Sequence, residues 1–322
     1  MQPVFRVYDS KKDFLCVRDM LIETYAQFEK PLNWTMERWQ YARHFCAPML
    51  GAYGLDSDSG HVLENNIDKS KEAIELWESA IGIWTNEQEE TVALVCPDEY
   101  VPWHPGSNLA YIQRRPGYDY LLDEMLDYAA TKYVQDGITR LWVTSHDIAL
   151  TARAQERGYT PSGRHPEYWM EIDLADLPDA QLPEGFRFQS MADSNDLEKR
   201  RKVLGLSFYH KDAREWATIF SYQELQKAPD YRKDLDLVVV APHSEFVSCC
   251  IVWVDTYNKI AMLEPVGSIV LGMGREVVME GLRRARGLGA RTGIMTSALT
   301  YYEKIGFKKK HLYGTTWSRK VR

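Results

Sequence analysis

Basic residues are outnumbered in this sequence. Its 322 residues hold 39 Lys and Arg against 46 Asp and Glu, a formal net charge of -7. A mildly acidic chain is poorly suited to coating nucleic acid or an anionic membrane. The one short basic cluster, Lys308 to Lys310, reads as a solvated strand end or as a phosphate contact. Cysteine is scarce and odd in number: Cys16, Cys46, Cys96, Cys249 and Cys250, irregularly spaced. That pattern predicts no disulfide framework and a reduced, cytoplasmic protein. No Cys/His group has zinc-ligand spacing, so no metal is expected. The eight histidines are scattered, none in the Ser and Asp setting of a hydrolase triad. No apolar run approaches the roughly 18 residues of a membrane span. The first eight residues lack the apolar core of a secretory signal.

What the chain does have is material for real cores, with 45% apolar and 12% aromatic residues. One core rarely grows beyond about 250–300 residues, so two domains are expected. The clearest linker is 176–185, DLPDAQLPEG, whose prolines and glycine cannot continue a helix or a central strand. It predicts domains at 1–178 and 184–322. In the first half, 10–28 and 35–45 read as helices, 80–84 and 91–96 as a hairpin, 108–113 as a strand, 119–135 as a helix and 139–144 as a strand. In the second, 193–209 and 212–226 read as helices, 236–241, 246–254 and 259–266 as strands, and 274–288 as an amphipathic helix. A strand at 291–295, a short helix at 298–304 and a strand at 307–317 complete it. Cys249 and Cys250 sit in an apolar run where neighbours face opposite ways, which predicts burial.

The same order therefore occurs twice. Leu122, Met125, Leu126 and Gly137 recur as Gly274, Val277, Val278 and Gly289, each 152 positions later (274 less 122). Gly158-Tyr159 recurs as Gly306-Phe307 at 148 (306 less 158), so the second copy is shorter between its strand and short helix. A period this long marks a duplicated domain, since solenoid repeats span only about 20–50 residues.

The most informative stretch is EPVGSIVLGMGR, 264–275, followed at once by a helix. Glycine lets backbone approach a ligand closely. The first turn of a helix offers unpaired N–H groups and partial positive charge, which suits a diphosphate. On these residues alone an ordinary strand-to-helix turn stays open as the other reading. A dinucleotide fingerprint would need a third glycine where Val277 stands and an acid near 295, and no Gly-Lys-Ser/Thr follows to make a Walker loop.

EPVGSIVLGMGREVVMEGLRRARGLGA, followed by ALTYYEKIGF, resembles the GCN5-related N-acetyltransferase (GNAT) superfamily: its fourth strand, diphosphate loop, following helix and A-x-x-x-Y-E-K-x-G-F segment. The likeness covers most of 186–322 and is fainter in the first half. It implies an α/β chain of two tandem GNAT-like domains, each a mixed, centrally antiparallel sheet flanked by helices. The first would be degenerate and the second would carry the acyl-CoA site. The pattern departs from the family's in three respects, the first being a run between Gly267 and Gly272 that is shorter than usual. The usual leading Arg/Gln of the loop is Ile269, and an expected Asn is Met295.

The resemblance implies acetyl transfer from acetyl-CoA to the amine of a small molecule or peptide. Coenzyme A contacts would come from Val266, Leu271, Gly272, Met273, Gly274 and Arg275. Tyr302 would be the general acid for the leaving thiolate, with neighbouring Tyr301 taking a buried packing role. A lysine-like amine, of pKa about 10.4, costs roughly 4.6 kcal/mol to neutralise at pH 7. Glu264, at the strand end, is the candidate base; the competing reading is a strand-end glutamate bonded to backbone. In the first half the counterparts of Gly272, Gly274 and Tyr302 are Tyr120, Leu122 and Ala154, so that copy keeps the helix without the anion loop. Its segment 32–39, with Trp34, Arg38 and Trp39, reads as a buried helix face or as an aromatic acceptor pocket. The rival readings of the whole are a non-catalytic tandem module that binds a metabolite or protein, and a dimer-forming structural protein without a ligand.

Overall fold

The computed structural model describes residues 2–28, 30–51, 53–54, 62–63, 67–103, 108–162 and 167–321. Two compact units emerge, one of Met1–Gly51, Asp68–Tyr168 and His311–Arg322, the other of Ala52–Ile67 and Trp169–Lys310.

The first unit begins with strand β1 (Val4–Val7), helices α1 (Ser10–Tyr25), α2 (Met36–Tyr41) and α3 (Ile67–Ser79), and strands β2 (Gly82–Thr85), β3 (Thr91–Pro97) and β4 (Leu109–Arg114). Helix α4 (Leu122–Lys132), strand β5 (Ile138–Thr144) and helix α5 (Ile148–Glu156) follow. Pairing is antiparallel from β1 through β2 and β3 to β4, then parallel from β4 to β5. Strand β3 is buried along its whole length, as its continuous apolar run TVALVCP requires. Helix α4 lays Leu122, Met125, Leu126 and Ala129 into the same core, at the spacing of one helical face.

After strand β6 (Glu167–Asp173), the second unit repeats the plan: β7 (Arg187–Ser190), α6 (Leu197–Ser207), α7 (Ile219–Leu225), β8 (Asp236–Val240), β9 (Phe246–Asp255) and β10 (Ile260–Ser268). Then come α8 (Met273–Gly287), β11 (Thr292–Ser297), α9 (Tyr301–Lys304) and β12 (Lys308–Lys320). Strands β7 to β10 are antiparallel in sequence order, and β10 to β11 is parallel. Cys249 and Cys250 are buried within β9. Each unit is thus a mixed, centrally antiparallel sheet flanked by helices.

The division expected at 176–185 does not separate these units. Residues Gly314 to Lys320 of β12 pair with Thr144 to Ile138 of β5, so the end of the chain closes the sheet of the first unit. Residues 169–173 of β6 cluster with the second unit, where β6 neighbours β11. Each half lends its last strand to the other half's unit. A proline-rich linker marks where the chain leaves regular structure; it does not specify which sheet edge the next strand will satisfy.

One titrating group belongs to the first unit's scaffold. Burial, then Asp98, pushes the Glu99 carboxyl up to about 7 from 4.5, against the pull of Arg38. Between those values the folded chain holds a proton that the unfolded chain has released. Stability therefore falls as pH rises from about 4.5 to about 7, at up to about 1.4 kcal/mol per pH unit. Urea midpoints at pH 5 and pH 8 should show this fall in the native protein and a smaller one in Glu99→Gln. An equal fall in both would remove Glu99 as its source.

Among the described residues, no helix is long and apolar enough to cross a membrane, and no group of three or more His, Cys, Asp or Glu is placed to hold a metal ion.

Candidate functional site

Strands β10 and β11 run side by side only at their start. Ile260 to Met262 pair with Thr292 to Ile294, and the registered pairing stops there, although both strands continue. The far end of β10 keeps its partner on the other side, with Val266, Gly267 and Ser268 opposite Cys250, Cys249 and Ser248. The result is a splayed gap within the second unit, opening into a cavity of about 790 Å³. Its walls are the free ends of β10 and β11, the loop into α8, the end of α6 and the start of α9.

The loop is shaped by its glycines. Gly272 caps α8 with φ at +88°, a conformation that side chains with a Cβ rarely adopt. The turn uses some of its own donors: Ile269 N–H bonds Val247 O (2.9 Å), Met273 N–H bonds Val270 O (3.2 Å) and Arg275 N–H bonds Gly272 O (3.1 Å). Among the described residues, the N–H groups of Val270, Leu271, Gly272 and Gly274 have no such partner. Unpaired donors at the positive end of a fifteen-residue helix form an anion-receptive surface.

Of the residues singled out in the sequence, Glu264, Val266, Leu271, Gly272, Gly274 and Tyr302 line this one cavity. Met273 and Arg275 do not: Met273 is buried, and the Arg275 guanidinium donates to the Glu276 carboxylate at 2.6 Å. Glu264 is joined to Pro265 by a cis peptide, and its carbonyl accepts from Trp253 Nε1 at 3.0 Å. Met295, in place of the family's Asn, faces the cavity from β11.

Tyr302 is 7% exposed, edge-on to Phe307 (5.9 Å) and Tyr301 (5.1 Å). Its hydroxyl has no hydrogen-bond partner among the described residues. Burial above all, then Cys250, Tyr301 and Glu264, pushes its pKa well above the usual phenol value, so it keeps its proton at neutral pH. Tyr301 does not take the packing role expected of it. It is 37% exposed and also lines the cavity. On a one-turn helix consecutive side chains diverge by about 100°, so Tyr302 forms a buried part of the cavity wall and Tyr301 a more exposed one.

One part of the wall has no counterpart among the residues singled out from sequence, namely the end of α6. The helix stops at Ser207, and Ser207, Phe208 and Tyr209 form part of the cavity wall. Tyr209 is 90% exposed with φ at +66°. Two consecutive aromatics left in water after a helix end are the signal that the sequence offers for them.

In the first unit the corresponding gap is filled by the protein itself. Registered pairing of β4 with β5 covers only Leu109 with Arg140 and Ala110 with Leu141. Past it, Arg114 is 2% exposed. Its guanidinium donates to Asp147 at 2.6 and 2.8 Å and to Asp119 at 2.6 Å. Burial opposes that charge, and the hydrogen bonds to Asp147 and Asp119 outweigh it, raising the Arg114 pKa. Asp119 is the counterpart of Leu271 at the offset of 152 (271 less 119), so a carboxylate of the chain stands where the second unit has its open loop. The segment 32–39 is built in as well. Asn33 bonds the Arg114 backbone, Trp34 N–H donates to Gln113 Oε1 (2.7 Å), and Trp39 is fully buried against Phe14 and Trp77. It is a buried helix face.

Neither a protein-family model nor a curated protein sequence matches this chain. Solved structures do. A GCN5-related N-acetyltransferase from Sphaerobacter thermophilus superposes with a TM-score of 0.57 at 14% identity, covering 99% of this chain and 96% of that one. A tandem GNAT protein from the clavulanic acid biosynthesis pathway gives 0.56 at 12% identity, covering 99% and 98%. The GCN5-related glucosamine N-acetyltransferase region of a fungal multi-domain GH3 β-N-acetylglucosaminidase gives 0.54 at 13% identity, covering 98% of this chain and 38% of that one. With its twofold order of elements and the parting of strands β10 and β11, the chain has the fold of the GCN5-related N-acetyltransferases.

Proposed function

We propose that this protein is an N-acyltransferase that moves an acetyl group from acetyl-CoA to the amine of a small molecule or peptide, with its chemistry in the second unit. One observation carries the reading. A row of unpaired N–H donors at the start of α8 and the hydroxyl of a buried tyrosine, without a partner among the described residues, face the same cavity between parted strands. The donor set fits a diphosphate: Val270, Leu271, Gly272 and Gly274 would hold it, and the unpaired edge of β10 near Val266 would meet the amide-bearing arm. The fold supports the same reaction class by analogy.

Acetyl-CoA supplies an acyl group activated as a thioester. Glu264, directly or through water, would take the proton that makes the acceptor amine nucleophilic. As the new C–N bond forms and the C–S bond breaks, Tyr302 would give its proton to the departing sulfur. The products are an amide and the free thiol. The exposed aromatics Phe208 and Tyr209 at the mouth would meet the acceptor. Five cysteines with no disulfide among them fit a reducing cytoplasm.

A second reading, a module that binds coenzyme A or another metabolite without turnover, draws on Ile269 and Met295, which remove two polar side chains from the cofactor path. Heating the protein with and without acetyl-CoA tests both. A ligand at 100 times its Kd adds about 2.7 kcal/mol of stability, so the melting temperature should rise with acetyl-CoA concentration. A screen of amines for thiol release then separates the two readings. No shift with acetyl-CoA or coenzyme A would end both as coenzyme A proteins.

A further inference from the structure

The two adjacent tyrosines of α9 have different surroundings and, on the cofactor reading above, different tasks. A Cβ built on Gly274, in the first turn of α8, would stand 2.9 Å from the Tyr301 hydroxyl and 3.2 Å from Ser268 Cβ. The Tyr301 hydroxyl therefore sits over the same helix end whose N–H groups of Leu271, Gly272 and Gly274 are unpaired. It has no hydrogen-bond partner among the described residues. Nothing else in the loop brings a free side-chain donor there. The leading position is Ile269, Ser268 Oγ is spent on Val270 O (2.9 Å), and Arg275 is engaged with Glu276. The cavity is independently marked by the Tyr302 side chain, more than nine-tenths buried, whose hydroxyl also has no hydrogen-bond partner among the described residues.

We propose that Tyr301 is the side-chain donor to the diphosphate of coenzyme A, replacing the missing cation of the loop, while Tyr302 serves the thioester end. Glycine at 274 is then required because any Cβ there would displace the phenol from the helix end. Burial, with Cys250 and Glu276 adding and Arg275 opposing, pushes the Tyr301 hydroxyl up to about 12, so it stays a donor across the working pH range.

The test is a comparison of native protein, Tyr301→Phe and Tyr302→Phe by calorimetry with coenzyme A and with 3′-dephospho-coenzyme A, together with steady-state rates. Tyr301→Phe should raise Kd about tenfold for both ligands, the scale of one hydrogen bond to a charged acceptor. Its kcat at saturating acetyl-CoA and its ligand-free melting temperature should be unchanged. Tyr302→Phe should do the reverse, keeping Kd and losing kcat. An unchanged Kd in Tyr301→Phe overturns the proposal, as does a loss confined to coenzyme A, which would place the phenol on the 3′-phosphate. Native protein that binds neither ligand overturns the function reading and this inference with it. Binding by the native protein with no effect of the variant overturns this inference alone.

Discussion

Tyr302→Phe is expected to lower turnover by roughly 10²–10⁴-fold, the usual worth of a general acid, while acetyl-CoA still binds. The ring contributes packing against Phe307 and Tyr301, and phenylalanine keeps that. The hydroxyl has no hydrogen-bond partner among the described residues, so its removal orphans none of them and stability should change little. What disappears is a proton held at the cavity wall by burial. A thiolate leaving without it must take a proton from water. The rate loss should appear in kcat, with the Kd of acetyl-CoA unchanged. Full activity in the variant would remove Tyr302 from the mechanism and leave water as the acid.

Local spacing makes the second unit's loop readable. Gly272 and Gly274 lie two apart between a strand and an amphipathic run, and Val277, Val278, Leu282 and Ala285 all turn inward as their period requires. Tyr302 stands out by its distance from Ala298 and Gly306, again a local relation. Helix α3 is absent from the elements expected of the sequence, although Ser70, Ala73, Ile74 and Trp77 carry the spacing of one buried face. The exchange of β6 and β12 is not legible, because nothing within a strand names the edge it will join. The packing role expected of Tyr301 fails for a related reason. Two adjacent tyrosines look alike until Gly274 is seen to lie against one and Phe307 against the other. The lock in the first unit joins Arg114, at a strand end, to Asp147, the residue that caps helix α5. Only the fold brings them together.

That lock should be costly to break. Asp147→Ala is expected to destabilise the protein by about 3–5 kcal/mol, the cost of leaving one partner of a buried ion pair alone. Two losses combine. Arg114, only 2% exposed, would keep Asp119 alone, whose side chain is 58% exposed. Helix α5 would also lose its cap, since Asp147 Oδ1 accepts from Leu150 N–H at 2.9 Å, which by itself is worth about 1 kcal/mol. Asp147→Asn separates the two, because an amide oxygen can still cap the helix while the charge is gone; it should lose less than alanine. The alanine variant should not gain a coenzyme A site, because Tyr120 and Leu122 occupy the positions of Gly272 and Gly274 and the loop cannot open its N–H groups in the same way. Urea unfolding followed by tryptophan fluorescence measures the stability. A loss below about 1 kcal/mol would mean that Asp119 and water suffice for Arg114 once Asp147 is removed, and that the ion pair with Asp147 does not hold the first unit's gap closed.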